Sequence, residues 1–497
     1  MPFTTEAPAV MEPLVCSLRR LAGGGGDGAG IRDASCHVSL AQAWDAVSGG
    51  ARWLLGLGLR AGDRVALFAE NSVKCSVAYF AIHAAGGIVV PVGSDVSAEA
   101  VREMLEDCAP SLVLADRPRG ATAQEARPLP DLDAWMTSRA GLEPRCSLDT
   151  PADLLFTTGT TGRKKGVLLT HGNIASAATN INAVLRASSA DVELVPIPLS
   201  HSFGLGRLRC WARVGHTLVL EPGLRNAALL YKRLLDTQAT GLAIVPAGVA
   251  LLRRLVGARF AEAGRRLRYI ELGSAPIAPD DRQFLIETAP AARIWHHYGL
   301  TEASRAAFSE LHHDHGRSDS LGRPAPNVQI RIADEQGRAV PAGALGEILV
   351  RGGMVMREYW REPELTRSTL RDGWLRTGDE GWMDDEGYLF LRARKGDIIN
   401  VGGVKVAPHP IERLLCQIPG VREAACIGVR DPRGVLGQVV KAFIVSDAEP
   451  GDLDIVERLR RVLPEHEVPR IVERVPALPK TESGKIKRAE LRASEVA

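Results

Sequence analysis

The sequence contains no run of about 20 apolar residues, the length a helix needs to cross a bilayer. Its most apolar stretch, Val77 to Val92, is interrupted by His83, Gly86, Gly87 and Pro91, so no membrane span is expected. An excess of either charge is also missing. Lys plus Arg number 61 against 59 Asp plus Glu, a net charge of +2, which leaves no electrostatic footprint for nucleic acid or an anionic membrane. CxxC spacing is absent. The eight cysteines are scattered, the closest pair being Cys416 and Cys426, which disfavours a zinc site, a redox dithiol or a disulfide scaffold and predicts reduced, mostly buried thiols. Met1 to Ala9 lacks a basic region leading into an apolar one, so a signal peptide is not expected and the cytoplasm is the expected compartment. What remains is ordinary globular material, 45% hydrophobic and 24% charged over 497 residues, enough for about three units or for one large domain and a smaller one.

Periodicity gives the architecture. A helical pattern over Leu14 to Leu21 and another over Ala41 to Leu59 precede Arg64 to Phe68, Val77 to Ala85, Ile88 to Pro91 and Leu112 to Ala115, in which helices alternate with short apolar strands. The alternation recurs through Leu218 to Leu220, Leu229 to Leu235, Ala243 to Val245 and Tyr269 to Leu272. It predicts an α/β fold, parallel sheets flanked by helices. From about Arg323 the helices stop. Val328 to Ile332, Glu347 to Arg351 and Tyr388 to Leu391 read as strands between Gly, Pro and Asp turns, a small barrel-like antiparallel subdomain over about 323–393. A final α+β block combines Ile398 to Val406, Ala424 to Val429 and Val439 to Val445 with helices at Pro410 to Leu415 and Leu453 to Leu463. The expected division is therefore an N-terminal domain 1–393, a hinge at 394–396 and a mobile C-terminal domain 397–497.

Two glycine-rich segments invite a phosphate. GGGGDGAG, Gly23 to Gly30, formally contains GxGxxG but follows a helix pattern, where a dinucleotide fingerprint must follow a strand. It reads as a loop. TTGTTGRKKG, Thr157 to Gly166, does follow an apolar strand, Leu154 to Phe156, and gathers glycines, hydroxyls, Arg163, Lys164 and Lys165. That composition makes a cradle of N–H, O–H and cationic donors for a polyphosphate, although composition alone leaves a surface turn equally open. It is not a Walker loop, because GxxxxGK[ST] is absent.

Four further motifs follow in order: YGLTE at 298–302, TGD at 377–379, ARKGDIINVGGVKV at 393–406 and PKTESGKIKR at 479–488. With TTGTTGRKKG they span more than 300 residues, and over nearly the whole chain the sequence resembles the adenylate-forming superfamily of acyl-CoA synthetases, aryl-CoA ligases, nonribosomal-peptide adenylation domains and beetle luciferase. The resemblance implies an ATP-dependent carboxylic acid:thiol ligase that forms an acyl-adenylate and pyrophosphate, then a thioester with coenzyme A. The nearest rival delivers the acyl group to the phosphopantetheine of an acyl or peptidyl carrier protein. A non-catalytic nucleotide-binding relative conflicts with the presence of Lys485, Glu302 and Arg394, and a nicotinamide dehydrogenase lacks its strand–GxGxxG–helix unit.

The family's residues carry over to these positions. Thr157, Thr158, Gly159, Thr160, Thr161, Gly162 and Lys165 would hold the β and γ phosphates of ATP. Thr301 would contact the α-phosphate and Glu302 would hold Mg²⁺. Tyr298 would stack on adenine beside Gly273, Ser274, Ala275 and Pro276, while Asp379 and Arg394 would bind the ribose. Lys485 matches the lysine that bridges carboxylate and α-phosphate, a charge that two meeting anions require. Gly396 falls at the family's hinge, usually Asp or Lys, and Gly402 and Gly403 would let a pantetheine thiol pass close to backbone. His201, in PLSHSFGL, matches a histidine near the acyl site, where Phe203, Arg207 and His297 would also contact the acid.

Several positions depart from the family. Lys164 replaces a usual Pro, Ala393 a usual Gly, and His297 stands where long-chain and luciferase-like members carry Gly. The last adds bulk to an acyl pocket, so the acid is expected to be short to medium or aromatic, possibly bearing a polar group. PLSHSFGL lacks the Asp by which relatives pair with a substrate amine, which disfavours an α-amino acid. His312, His313, Asp314 and His315 have no partner cluster and read as a solvated loop.

Overall fold

The computed structural model describes residues 11–24, 29–94, 96–116, 126–137, 141–158, 164–224, 226–313, 315–446, 452–481 and 484–495. The expectation for Met1 to Ala9 lies outside them, as do Gly159, Thr160, Thr161, Gly162 and part of the Gly23 to Gly30 tract. The chain forms two compact units, residues 1–330 with 350–375, and residues 331–349 with 376–497.

The larger unit is built on two sheets. One runs, in spatial order, Glu358–Tyr359, Lys164–Thr170, Pro151–Thr158, Ile88–Val92, Arg64–Phe68, Leu112–Ala115 and Arg127–Pro128. Its four last junctions are parallel and its first two antiparallel. The other has a parallel centre, Gly30–Arg32, Thr217–Leu220, Val192–Val195, Gly241–Ile244, Tyr269–Leu272 and Arg293–Tyr298, with antiparallel strands at both ends. Strand Tyr269–Leu272 was legible to the residue, because a short β-rich run ends at a Gly-Ser turn. The helices are set by local signals. Ser39 and Gln42 form a reciprocal capping box that starts helix Leu40–Gly56, and within that helix Gly49 is obligatory, since a Cβ would fall 1.9 Å from the carbonyl oxygen of Trp135.

Helix Ser202–Val214 is unusual in burying Arg207, Arg209 and Arg213. Buried guanidinium groups need paired acids, and the sheets supply them for Arg207 and Arg209, while Glu12, outside the sheets, lies 3.9 Å from Arg213. Asp153 accepts from Arg209 Nη2 at 2.6 Å and from the Tyr79 hydroxyl at 2.9 Å, with His83 Nε2 3.2 Å from its other oxygen. All four side chains are buried. Burial raises the Asp153 pKa, but Arg209 and then His83 outweigh it and hold the group at about 2.

In the smaller unit, strands Val421–Arg430 and Gln438–Ser446 pair antiparallel and Ile471–Arg474 joins in parallel. The two-residue alternation of a strand sends Cys426, Ala442 and Ile444 to one apolar face and Ala425, Phe443 and Val445 to the other, and both faces are covered. The expected strand Ile398 to Val406 is a hairpin, Ile399–Val401 with Val404–Val406, turned by Gly402 and Gly403 at φ +59° and +89°. Two consecutive positive φ values make the turn that suits a two-residue hairpin and explain the glycine pair. The antiparallel stretch differs from its expectation twice. A helix, Pro363–Thr369, lies inside it, started by a proline at its first turn. Residues 331–349 and 376–393 also fall in one unit with the C-terminal residues, rather than with 1–393, because Asp379 to Met383 are laddered to Leu389–Arg394, which runs directly into Lys395.

Candidate active site

The expected nucleotide residues of the larger unit gather where the parallel strands end, the position at which open α/β sheets bind ligands. Tyr269–Leu272 delivers Gly273 to Pro276, and its parallel neighbour Arg293–Tyr298 delivers YGLTE. His296 Nε2 lies 2.9 Å from the Ala275 carbonyl oxygen and ties the two together. Ser274 sits at φ +75°, a left-handed conformation that a serine adopts only where the surroundings impose it. Tyr298 is buried, while Thr301 and Glu302 are half-buried in a tight turn closed by hydrogen bonds between Leu300 and Ala303.

A residue with no motif organises this turn. The Tyr359 hydroxyl donates to Glu302 Oε1 at 2.8 Å, and Lys165 Nζ lies 5.8 Å from the centre of the Tyr359 ring. Tyr359 itself is held by pairing with Val167. Thr157 faces Lys165 across the antiparallel ladder, so the described part of the phosphate segment and the Glu302 turn share one aromatic side chain. Glu302 Oε2 has no hydrogen-bond partner among the described residues. One carboxylate oxygen left open is the protein share that Mg²⁺ takes when substrate phosphates provide the rest. No cluster of three metal-ligating side chains occurs among the described residues, and of the His312 to His315 tract, Asp314 lies outside them.

The expected acid contacts are also close together. His201 is half-buried at the start of helix Ser202–Val214. Phe203 meets the His297 ring edge-on at 4.7 Å between centroids, and His297 packs so tightly over Gly273 that a Cβ there would fall 2.1 Å from its ring. Arg207 is different. It has no exposed surface and binds Glu193 with Nε and Nη2 at 2.5 and 2.8 Å, so a direct substrate contact would require this ion pair to open. Arg305, 2% exposed, bonds the Ser202 and Phe203 carbonyl oxygens at 3.1 and 2.9 Å. Neither Arg305 nor Tyr359 carried a sequence signal. Glu271 did, as an acid inside the apolar strand YIEL.

In the smaller unit, Arg394 Nε bonds buried Asp379 Oδ1 at 2.8 Å, the two being direct partners across their strands. Lys485 is exposed on a turn where its N–H donates to Thr481 Oγ1 at 3.1 Å, next to Gly484 at φ +81°. Gly396 lies in a short 3₁₀ turn, Lys395–Asp397, and Asp397 is bonded at 3.0 Å by Arg492.

Residues 20–360 match the AMP-binding enzyme family and residues 410–485 the AMP-binding enzyme C-terminal domain. The chain belongs to the AMP-binding enzyme family. This adenylate-forming enzyme is 32% identical over 476 residues to feruloyl-CoA synthase of an Amycolatopsis species, covering 93% of this chain and 95% of that one. It is 30% identical over 457 residues to long-chain-fatty-acid–CoA ligase FadD13 of Mycobacterium tuberculosis, covering 88% and 89%. Its fold matches ATP-bound MatB from Rhodopseudomonas palustris with a TM-score of 0.87 at 28% identity, over 97% and 98% of the two chains. The enzyme is an acid–thiol ligase, and no described helix is long and apolar enough to cross a membrane.

Proposed function

We propose that this enzyme activates a short to medium or aromatic carboxylic acid with ATP, releases pyrophosphate, and transfers the acyl group from its adenylate to coenzyme A. The observation that supports the reading best is the Tyr359 side chain, which brings Glu302 and Lys165 to one place although 137 residues separate them in sequence. A carboxylate and an ammonium so placed suit a metal-bound polyphosphate, whose transfer chemistry is mainly positioning and charge neutralisation. Glu302 would hold Mg²⁺, which supplies positive charge to the phosphates when bound. Thr301 would donate to the α-phosphate, and Tyr298 would cover the adenine. The Asp379 and Arg394 pair offers a carboxylate and a guanidinium to the ribose hydroxyls. Lys485 is the cation assigned to adenylation, and Gly402 and Gly403 are assigned to passage of the thiol in thiolation.

His297 supports the size limit on the acid. An imidazole above Gly273 occupies space that a long tail would need, and forcing a chain past a packed ring costs about 1 to 3 kcal/mol. Pyrophosphate release measured over a panel of carboxylic acids tests the reading, with thioester formation from free coenzyme A as its second half. An enzyme that releases no pyrophosphate with any acid would refute it. Release without thioester would move the acceptor to a carrier protein.

A further inference from the structure

Beneath the candidate acid site lies a set of charges that no motif covers. Glu271 is fully buried, with Oε1 at 3.1 Å from Arg305 Nε and 2.9 Å from His297 Nδ1, and Oε2 at 3.1 Å from Arg207 Nη1. Arg207 also binds Glu193, whose Oε2 is 3.0 Å from His216 Nε2. Two guanidinium groups face two carboxylates, so the cluster balances internally and needs no counter-ion from a ligand. Its open end is His297. Nδ1 lies 2.9 Å from the Glu271 carboxylate, off the line of a hydrogen bond, and the negative charge at that distance favours the ring proton on Nδ1, which leaves Nε2 as an acceptor. Burial is the largest influence on the ring and, with Arg305 and Arg207, lowers its pKa against the pull of Glu271, which keeps it neutral at pH 7. Nδ1 is the buried ring nitrogen, Nε2 makes no hydrogen bond among the described residues, and the side chain keeps 8% of its surface exposed. Phe203 on one side and Phe308 at 6.1 Å on another fix the ring's orientation.

We propose that the acid carries a hydrogen-bond donor, a hydroxyl or an N–H, at the end remote from its carboxyl group, that His297 Nε2 receives it, and that Glu271 is the positioning residue that fixes the tautomer. The inference rests on the acid-activating reading above and adds a substrate class to it. Direction follows from the strand. The carboxyl group must meet the α-phosphate near Thr301, beyond the strand's end, while His297 lies back inside Arg293–Tyr298, so the tail runs toward it. An apolar end there would strip water from Nε2 without replacing its hydrogen bond.

The test is pyrophosphate release by the full chain with phenylpropanoic acids that carry a ring hydroxyl, its methyl ether or hydrogen, and with straight-chain acids with and without a terminal hydroxyl. The best hydroxy acid should exceed its ether or hydrogen counterpart in kcat/KM by about tenfold or more. His297→Phe keeps the ring's bulk and removes the acceptor, and should bring that ratio close to one whatever its effect on the absolute rates. His297→Gln, whose amide oxygen can accept, should keep part of the preference. Glu271→Gln can donate to Nδ1 and reverse the tautomer, and should reduce it. The ¹⁵N shift of His297 Nε2 in the parent enzyme should move when the hydroxy acid binds and stay put with the ether, a readout that does not depend on any variant folding. Equal rates for the matched pairs, an unchanged ratio in His297→Phe, or an unmoved Nε2 shift would overturn the proposal. Failure of every acid to release pyrophosphate would instead remove the ligase reading beneath it.

Discussion

The two compact units present their motif residues in opposite ways. In the larger, Tyr298 is buried, Glu302 is tied to Tyr359, and His297 is wedged between Phe203, Gly273 and Glu271. In the smaller, Lys485, Gly402 and Gly403 are exposed on turns, with open space around Gly403 where a Cβ would stand. The Asp379 and Arg394 pair breaks the pattern by unit, since it is locked and partly buried although it lies in the smaller one. Under the proposed function it keeps the pattern by role. In that reading, groups that would hold the nucleotide through both half-reactions are cross-tied, and groups that would serve one half-reaction stand on exposed turns. Rigid support suits a site that must not reorganise while charge develops.

The contrast can be broken most severely at Lys485. Lys485→Ala should lower adenylate formation by about 10²-fold or more and largely spare thiolation of a supplied acyl-adenylate, and equal loss in both assays would end the division by role. Glu302→Gln should come next, lowering MgATP-dependent turnover by about 10²-fold while binding of a preformed adenylate changes little. Parental activity at saturating Mg²⁺ would make Glu302 a structural residue. His297→Gly should shift kcat/KM toward longer acyl chains by about tenfold relative to the native acid, and an unchanged chain-length profile would take His297 out of the pocket. The smallest effect is on stability. Burial lowers the pKa of His296 to about 4 and of His171 to about 3. The unfolded chain takes up these protons near pH 6.5 and the folded chain does not, so stability is lost as pH falls below about 6.5, by about 2 kcal/mol per histidine at pH 5. Both lie in the larger unit, His171 buried and His296 half-buried. Acidification should therefore loosen the larger unit first, as hydrogen exchange would show, and equal loosening of both would contradict the account.

Much of the fold was legible because its signals are local. Tyr269–Leu272 and Arg64–Phe68 are short apolar runs bounded by turn residues, and they form as expected. What local signals cannot give is the partner of a strand. That is why the antiparallel stretch divided differently from expectation, its ladders fixing residues 376–393 among the C-terminal elements. The candidate site shows the same limit. Thr301, Glu302, Asp379, Arg394 and Lys485 could be named from ordered motifs, whereas Tyr359 and Arg305 act through partners 57 and 102 residues away, and nothing adjacent to them in the chain announces it. Arg207 was named as an acid contact from its neighbourhood in sequence, yet the carboxylates of Glu193 and Glu271 that pair with it come from two strands outside its helix.

The hydrogen bond from Tyr359 to Glu302 has a thermodynamic consequence. A free glutamate side chain gives up about 1.5 to 2 kcal/mol of rotamer entropy when it is fixed. Here part of that loss is incurred during folding, before any nucleotide arrives, so the metal and phosphates meet an acceptor that is already oriented. Removing only the hydroxyl, in Tyr359→Phe, would return the loss to the binding step, and calorimetry on MgATP should then show a less favourable binding entropy with the carboxylate itself unchanged.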